Sequence, residues 1–224
     1  MSKPRKRGIP QQNLELVSVV PKTDNQRKVF DSDGHLVLHG VAGTGKTFLS
    51  LYLGLKHLFE GECDKIVLVR SAVPTRDIGF LPGNDKDKAE IYESPYRDIC
   101  QELFSRGDAY QILKANNQVD FRTTSFIRGT TIRDSVIIVD ECQNMTMHEL
   151  DSIMTRVGDN CRVIFSGDFR QSDLKSNGLK DFFAILSSMG EFDYVEFTVD
   201  DIVRSGLVKS YIKAKNKYES RSKQ

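Results

Sequence analysis

Between His35 and Ser50 the chain reads HLVLHG, VAGTGKT, FLS, and this stretch restricts the fold more than any other. Leu36, Val37 and Leu38 form an apolar run short enough for a buried parallel strand. After Thr47 the apolar residues Phe48, Leu49, Leu51, Leu55 and Phe59 fall at helical spacing, and Gly61 offers a stop. At the junction, Gly40, Gly45, Lys46 and Thr47 fit G-x-x-x-x-G-K-[ST]. A strand, a glycine-rich turn and a helix in that order make a phosphate loop. The glycines let backbone amides wrap an anion, and the helix N-terminus aims its positive dipole end at the same place. Gly40, Val41, Ala42, Gly43, Thr44, Gly45, Lys46, Thr47 and Phe48 are therefore the expected nucleotide cradle. Lys46 is expected to reach the β- and γ-phosphates, and Thr47 to offer its hydroxyl to Mg²⁺.

KIVLVR (65–70) follows as a second strand, which closes a βαβ unit and implies a parallel sheet. Farther on, DSVIIVDECQN places a hydrophobic strand, 136–139, directly before Asp140 and Glu141. Carboxylates at that strand end suit two tasks. Asp140 is expected to hold Mg²⁺ through coordinated water, opposite Thr47, and Glu141 to orient and polarise an attacking water. A third strand, 163–165, runs into SGDFRQ, where Gln171 is placed to touch the γ-phosphate or that water. Upstream, Thr23 or Asp24 can cap a short helix carrying Gln26. The Gln26 carboxamide has the donor and acceptor needed for adenine N6 and N7, but the residues alone equally allow a solvated helix position. LELVSVV (14–20) alternates weakly, as a short edge strand would. Residues 84–116 have helical spacing with an expected interruption at Pro95, and 194–199 reads as a last strand before a terminal amphipathic helix starting at Leu207, Val208, Tyr211 and Ile212. The loop 71–83, with Arg76, Phe80 and Leu81, suits either nucleic-acid contact or ordinary packing, and 119–129 gives another short strand and a loop with Phe126 and Arg128 near a glycine.

With 224 residues, one α/β domain is expected: a flexible basic arm at 1–12, a P-loop domain at 13–218 and a short tail at 219–224. No apolar run has the length of a membrane span and MSKPRKRG lacks the core of a secretion signal, so the expected location is cytoplasmic. Cys63, Cys100, Cys142 and Cys161 form no C-x-x-C pair, and no transition-metal site is expected. The net charge of +1 conceals +4 in the first eight residues and +5 in 205–224, which leaves −8 for the remainder. Basic ends on an acidic body suit either phosphate-backbone contacts or solubilising termini.

Taken in order, PKTDNQ, GVAGTGKT, VRSAV…GFLPG, FIRGTTIRD, VIIVDECQN, GDFRQSDL and DIVRSGLV resemble the PhoH family from about Pro21 to Val208. The resemblance is to compact, stand-alone members of the kind that phages as well as bacteria encode. It implies a single RecA-like P-loop domain with a mostly parallel sheet flanked by helices, related to the N-terminal core of superfamily 1 helicases. It further implies ATP and Mg²⁺ as ligands, an ATPase linked to RNA, and induction under phosphate starvation in some hosts. On this resemblance Gln26 becomes the adenine reader, Gln171 the γ-phosphate sensor and Arg204 a nucleotide-sensing arginine. Cys142 departs from the usual alanine, Phe169-Arg170 from Pro-Ser and Ser205-Gly206 from His-Pro; none removes a catalytic group. Superfamily 1 helicases close two such cores around one ATP, whereas here one core is evident. A homo-oligomeric ring such as a hexamer is therefore expected, with Arg204 or Arg170 at the junction and ATP, ADP and single-stranded RNA as partners. A nucleotide-gated binding module with little turnover is the rival expectation; a small-molecule kinase is disfavoured because no arginine-rich lid is evident.

Overall fold

The computed structural model describes residues 14–71, 85–127, 129–169 and 178–221. Its strands are β1 (His35–Gly40), β2 (Lys65–Arg70), β3 (Val119–Thr123), β4 (Ser135–Asp140), β5 (Cys161–Gly167) and β6 (Phe192–Phe197). Every pairing is parallel and the order is β3-β2-β4-β5-β1-β6. The helices are α1 (Asp24–Asp31), α2 (Lys46–Glu60), α3 (Asp85–Phe104), α4 (Ala109–Ala115), α5 (Met147–Met154), α6 (Leu179–Met189) and α7 (Gly206–Arg221). This is the expected α/β architecture, a parallel sheet covered on both faces.

The two faces follow from period-two alternation along buried strands. Leu36, Leu38, Ile66, Leu68, Val136 and Ile138 join residues of α2, α3 and α4 in one core. Val37, Val67, Val69, Ile137, Val139 and Phe165 point the other way, toward Leu150 and Ile153 of α5 and Leu179, Phe182 and Leu186 of α6. Gly61, with φ of 77°, ends α2 by returning its N–H to the carbonyls of His57 and Leu58. All the strand C-termini therefore open on one edge of the sheet, where ligand sites of open α/β sheets form. Among the described residues no helix is long and apolar enough to cross a membrane.

Three expectations need correction. Residues 14–20 are not a strand. Val17 N–H donates to the carbonyl of Leu103 at 2.9 Å and Val19 N–H to the Tyr52 hydroxyl at 3.3 Å, so this segment lies against α2 and α3 while β3 and β6 form the sheet edges. Pro95 does not interrupt its helix, which runs through it to Phe104. The bond proline cannot make is the one to the Ile91 carbonyl, and Ile91 lies on an exposed face where water can replace it. The break falls instead at Ser105, whose φ is 50°. The last strand begins at Phe192 and ends at Phe197, shifted two residues toward the N-terminus.

At the opposite edge, Arg162 at the start of β5 donates to the carbonyls of Gly34 and Ser32 and to Nε2 of His57, whose Nδ1 faces Glu62. His57 must be neutral to accept from a guanidinium. Burial, then the Arg162 charge, hold its pKa below the ordinary 6.5, with Glu62 opposing. The unfolded chain thus binds this proton more readily, so the stability that neutral His57 contributes is complete above about pH 6.5 and is lost as pH falls through the folded-state value. In urea titrations the protein is expected to be less stable at pH 5.5 than at pH 7.5, and His57→Gln to lose less over that interval.

Candidate functional site

Gly40 ends β1 with φ of 120°, and a Cβ there would stand 2.0 Å from the carbonyl oxygen of Phe197, so only glycine fits. Val41 N–H donates to that same carbonyl at 3.0 Å, which stitches the phosphate loop to β6. Inside the loop, the buried Thr44 hydroxyl donates to the Val41 carbonyl at 3.0 Å. Gly45, at φ of 90°, starts α2 without a side-chain cap, leaving the first amides of the helix to face outward into the loop. The Lys46 ammonium donates to the carbonyls of Gly40 and Val41, each at 2.9 Å. Burial lowers its pKa, against the opposing charges of Asp168, Glu141 and Asp140.

Asp140 sits on β4, which is separated from β1 by β5. It reaches the loop through α2, whose Thr47 hydroxyl donates to Asp140 Oδ1 at 3.0 Å. Its second oxygen, Oδ2, accepts from the fully buried Tyr96 hydroxyl of α3 at 2.9 Å. Both carboxylate oxygens are thus held. The next residue, Glu141, is in the left-handed region at φ of 52°, a conformation uncommon for a side-chain-bearing residue and frequent at working sites. Burial, then the neighbouring Asp140 charge, push its pKa upward, opposed by a hydrogen bond from Gln143 and by the charges of Arg70 and Lys46. Gln143 is a bridge: its Nε2 donates to Glu141, and its Oε1 accepts from the backbone N–H of Asp168 at 3.1 Å. The loop after β4 and the loop after β5 are joined by this one side chain.

Beside them lies a cleft of about 670 Å³, which Gly40, Val41, Thr44 and Tyr96 support from behind without bordering it. Gln26, Ala42, Gly43, Gly45, Lys46, Thr47, Phe48, Asp140, Glu141 and Arg204 all border it. Thr23 caps α1, its hydroxyl accepting from Gln26 N–H at 3.2 Å. The Gln26 carboxamide accepts from Lys22 N–H at 2.8 Å and donates to the Thr44 carbonyl at 3.1 Å, which leaves one N–H and one lone pair for a further partner. Arg204 is exposed at the rim, its Cγ 3.3 Å from where a Cβ of Gly43 would be, and Val203 N–H donates to the Gly43 carbonyl at 3.2 Å. Gln171, Arg170, Arg128 and the loop residues Arg76, Phe80 and Leu81 lie outside the described residues.

Three residues of the cleft or its support were not singled out by sequence reasoning. Tyr96 reads as part of an apolar stripe, and nothing in its spacing signals its hydroxyl. Arg70 borders the cleft with its guanidinium 5.9 Å from the Tyr92 ring centroid. Its signal was available, since it ends β2 directly beside Asp140 in the parallel register. Gln143 lies inside the motif that carries the two acids, but its role depends on β5 being the neighbour of β4. As for metals, the described residues contain no cluster of three His, Cys, Asp or Glu. A hydroxyl and a held carboxylate are instead the donor set that suits Mg²⁺, which keeps most of its ligands as water and substrate phosphate.

The fold and this cleft define a single P-loop NTPase domain of the RecA-like kind. The chain belongs to the PhoH family, whose profile, described as PhoH-like protein, matches residues 18–216. It is 31% identical over 209 residues to a PhoH-like protein of Mycobacterium tuberculosis H37Rv, covering 90% of this chain and 59% of that one. It is 38% identical over 143 residues to protein PhoH2 of Bacillus subtilis, covering 62% of this chain and 32% of that one. The chain thus spans little more than half the length of most of the curated relatives it matches. Among solved structures, the large terminase of a thermophilic bacteriophage, in complex with ADP, superposes with a TM-score of 0.56 at 13% identity. That match covers 85% of this chain and 49% of the terminase, and the likeness is one of fold.

Tyr96→Phe removes one charge-assisted hydrogen bond from buried Asp140. It is expected to cost roughly 1.5–3 kcal/mol of unfolding free energy in urea titrations.

Proposed function

We propose that this protein binds ATP with Mg²⁺, hydrolyses it, and couples the cycle to single-stranded RNA. The observation that carries the reading is the joined set Thr47, Asp140, Glu141 and Gln143 beside the phosphate loop. Phosphoryl transfer asks a protein mainly for positioning and charge neutralisation. The loop amides and Lys46 neutralise the β- and γ-phosphates. Thr47 would hold Mg²⁺ directly and Asp140 through water, and the ion, when bound, supplies further charge neutralisation on the phosphate oxygens. Glu141 accepts a hydrogen bond from the attacking water and takes its proton as the oxygen bonds to the γ-phosphorus. The bond from that phosphorus to the β–γ bridging oxygen breaks, and ADP departs with its electron pair.

Gln143 fixes the angle of Glu141 and ties it to the loop that leads to Gln171, which senses the γ-phosphate. Gln26 uses its remaining N–H and lone pair on adenine. Because Arg204 borders its own chain's cleft, it serves as the nucleotide-sensing arginine in cis, and Arg170 is left as the arginine offered to a neighbouring copy in a homo-oligomeric ring such as a hexamer. An arginine finger of this kind is worth on the order of 10³ to 10⁵ in rate. With ATP and RNA as ligands, the cytoplasm is the proposed place of action.

The test is steady-state ATP hydrolysis by the wild type and Glu141→Gln, with and without oligo(U), at two salt concentrations. Loss of the base is expected to reduce turnover by roughly 10² to 10⁴, with RNA stimulation in the wild type that weakens as salt rises. Wild-type protein that binds ATP tightly and hardly turns it over would point to a nucleotide-gated binding module instead.

A further inference from the structure

Helix α7 is unusual in this fold because it buries so little. Of the residues from 206 to 215, Lys209 and Ile212 are half-buried, Val208 is 39% exposed, and none is buried. Ile212 reaches the phosphate loop, its Cδ1 lying 3.9 Å from where a Cβ of Gly43 would stand, and Lys209 donates to the Asp200 carbonyl at 3.1 Å. On the far side, Leu207, Tyr211 and Tyr218 recur at i, i+4 and i+11, so they form one stripe. Their exposures are 82%, 66% and 73%, very high for such large side chains. Lys215 borders one flank of the stripe and Lys217 the other, while Lys213 lies toward the body, its ammonium 4.0 Å from Asp200 Oδ1. Five cations against Glu219 give the helix +4 on a chain whose total is only +1.

Rings with an ammonium group on either flank match a single strand of nucleic acid. Bases stack on exposed aromatic faces while the phosphates between them meet cations. A core partner would ask for an apolar face without this charge, and the acidic balance of the rest of the chain leaves the helix favoured for a polyanion. We infer that the exposed face of α7, built on Tyr211, Tyr218, Lys215 and Lys217, is a docking surface for single-stranded RNA, seated beside the phosphate loop through Ile212. The inference rests on the RNA reading above and assigns the surface that reading lacks. It also gives RNA a short mechanical route to the nucleotide, because Val203 N–H bonds to the Gly43 carbonyl and Ile212 of α7 lies beside the open face of that glycine.

The experiment is fluorescence anisotropy with a fluorescein-labelled 20-mer oligo(U) across a salt series, with the DNA 20-mer oligo(dT) beside it. Tyr211→Ala/Tyr218→Ala is expected to weaken RNA binding at least tenfold at every salt concentration with an unchanged salt slope, and Tyr211→Phe/Tyr218→Phe to restore it. Lys215→Gln/Lys217→Gln is expected to reduce the slope of log K against log salt by about 1.4, since each phosphate contact on a single strand contributes about 0.7. Lys56→Gln/Lys180→Gln removes the same charge elsewhere and is expected to leave the slope as it was. Wild-type binding of RNA that all the α7 variants keep within twofold would overturn this surface while leaving the RNA reading standing. No RNA binding by the wild type would overturn both, and tighter binding of oligo(dT) than of oligo(U) would overturn the assignment to RNA. If the tyrosine pair changed the sedimentation coefficient but not RNA affinity, the stripe would be a contact between copies and the inference would fall.

Discussion

Asp140 brings a negative charge to a position where only 3% of its surface meets solvent, and a buried carboxylate is costly unless it is hydrogen-bonded. Its two partners are the hydroxyls of Thr47 and Tyr96, which belong to different helices. One aspartate therefore sets where α2 begins relative to β4 and where α3 lies across the cleft. The rest follows from that placement. Lys46 precedes Thr47, so the ammonium is fixed beside the loop carbonyls. Glu141 follows Asp140, so its left-handed backbone turns the second carboxylate into the cleft within reach of Gln143. Through Gln143 the arrangement extends to Asp168 at the end of β5, so three elements that are distant in the chain share a single geometry.

What the sequence made legible was whatever lies in one contiguous stretch and demands special backbone. The phosphate loop needs glycine at 40 and 45 and lysine and threonine at fixed offsets, so four positions declare it together. Asp140 and Glu141 declare themselves only after that loop is known, because acids also end strands for ordinary reasons. Tyr96 and Gln143 were not legible, since each works by meeting a side chain or amide brought to it by the sheet order. Alternation in 14–20 misled because it records half-burial, which a segment lying on α2 and α3 has in common with an edge strand. Pro95 misled because its missing hydrogen bond falls on the water-facing side of α3, where the loss is small.

The family match and the geometry bear on different matters. Residues 18–216 carry the PhoH family profile, which accounts for the motifs that line the cleft. The geometry adds which groups touch. The amide of Val203 on the phosphate loop is a contact no motif describes, and it makes the segment before α7 part of the cleft wall.

The sheet order has a consequence for how this protein is made. Among the described residues β1, which launches the phosphate loop, pairs with β5 and β6 alone, and both are synthesised long after it. A chain emerging N-terminus first exposes Leu36, Val37 and Leu38 with no neighbour until residue 167 has left the ribosome and without its full pair until residue 197 has, a wait of roughly 10–30 s at usual elongation rates. During that interval β2, β3 and β4, contiguous in the sheet, can assemble first and leave a hydrophobic edge for β5. Nascent chains stalled before β6 should therefore be the ones most in need of a chaperone.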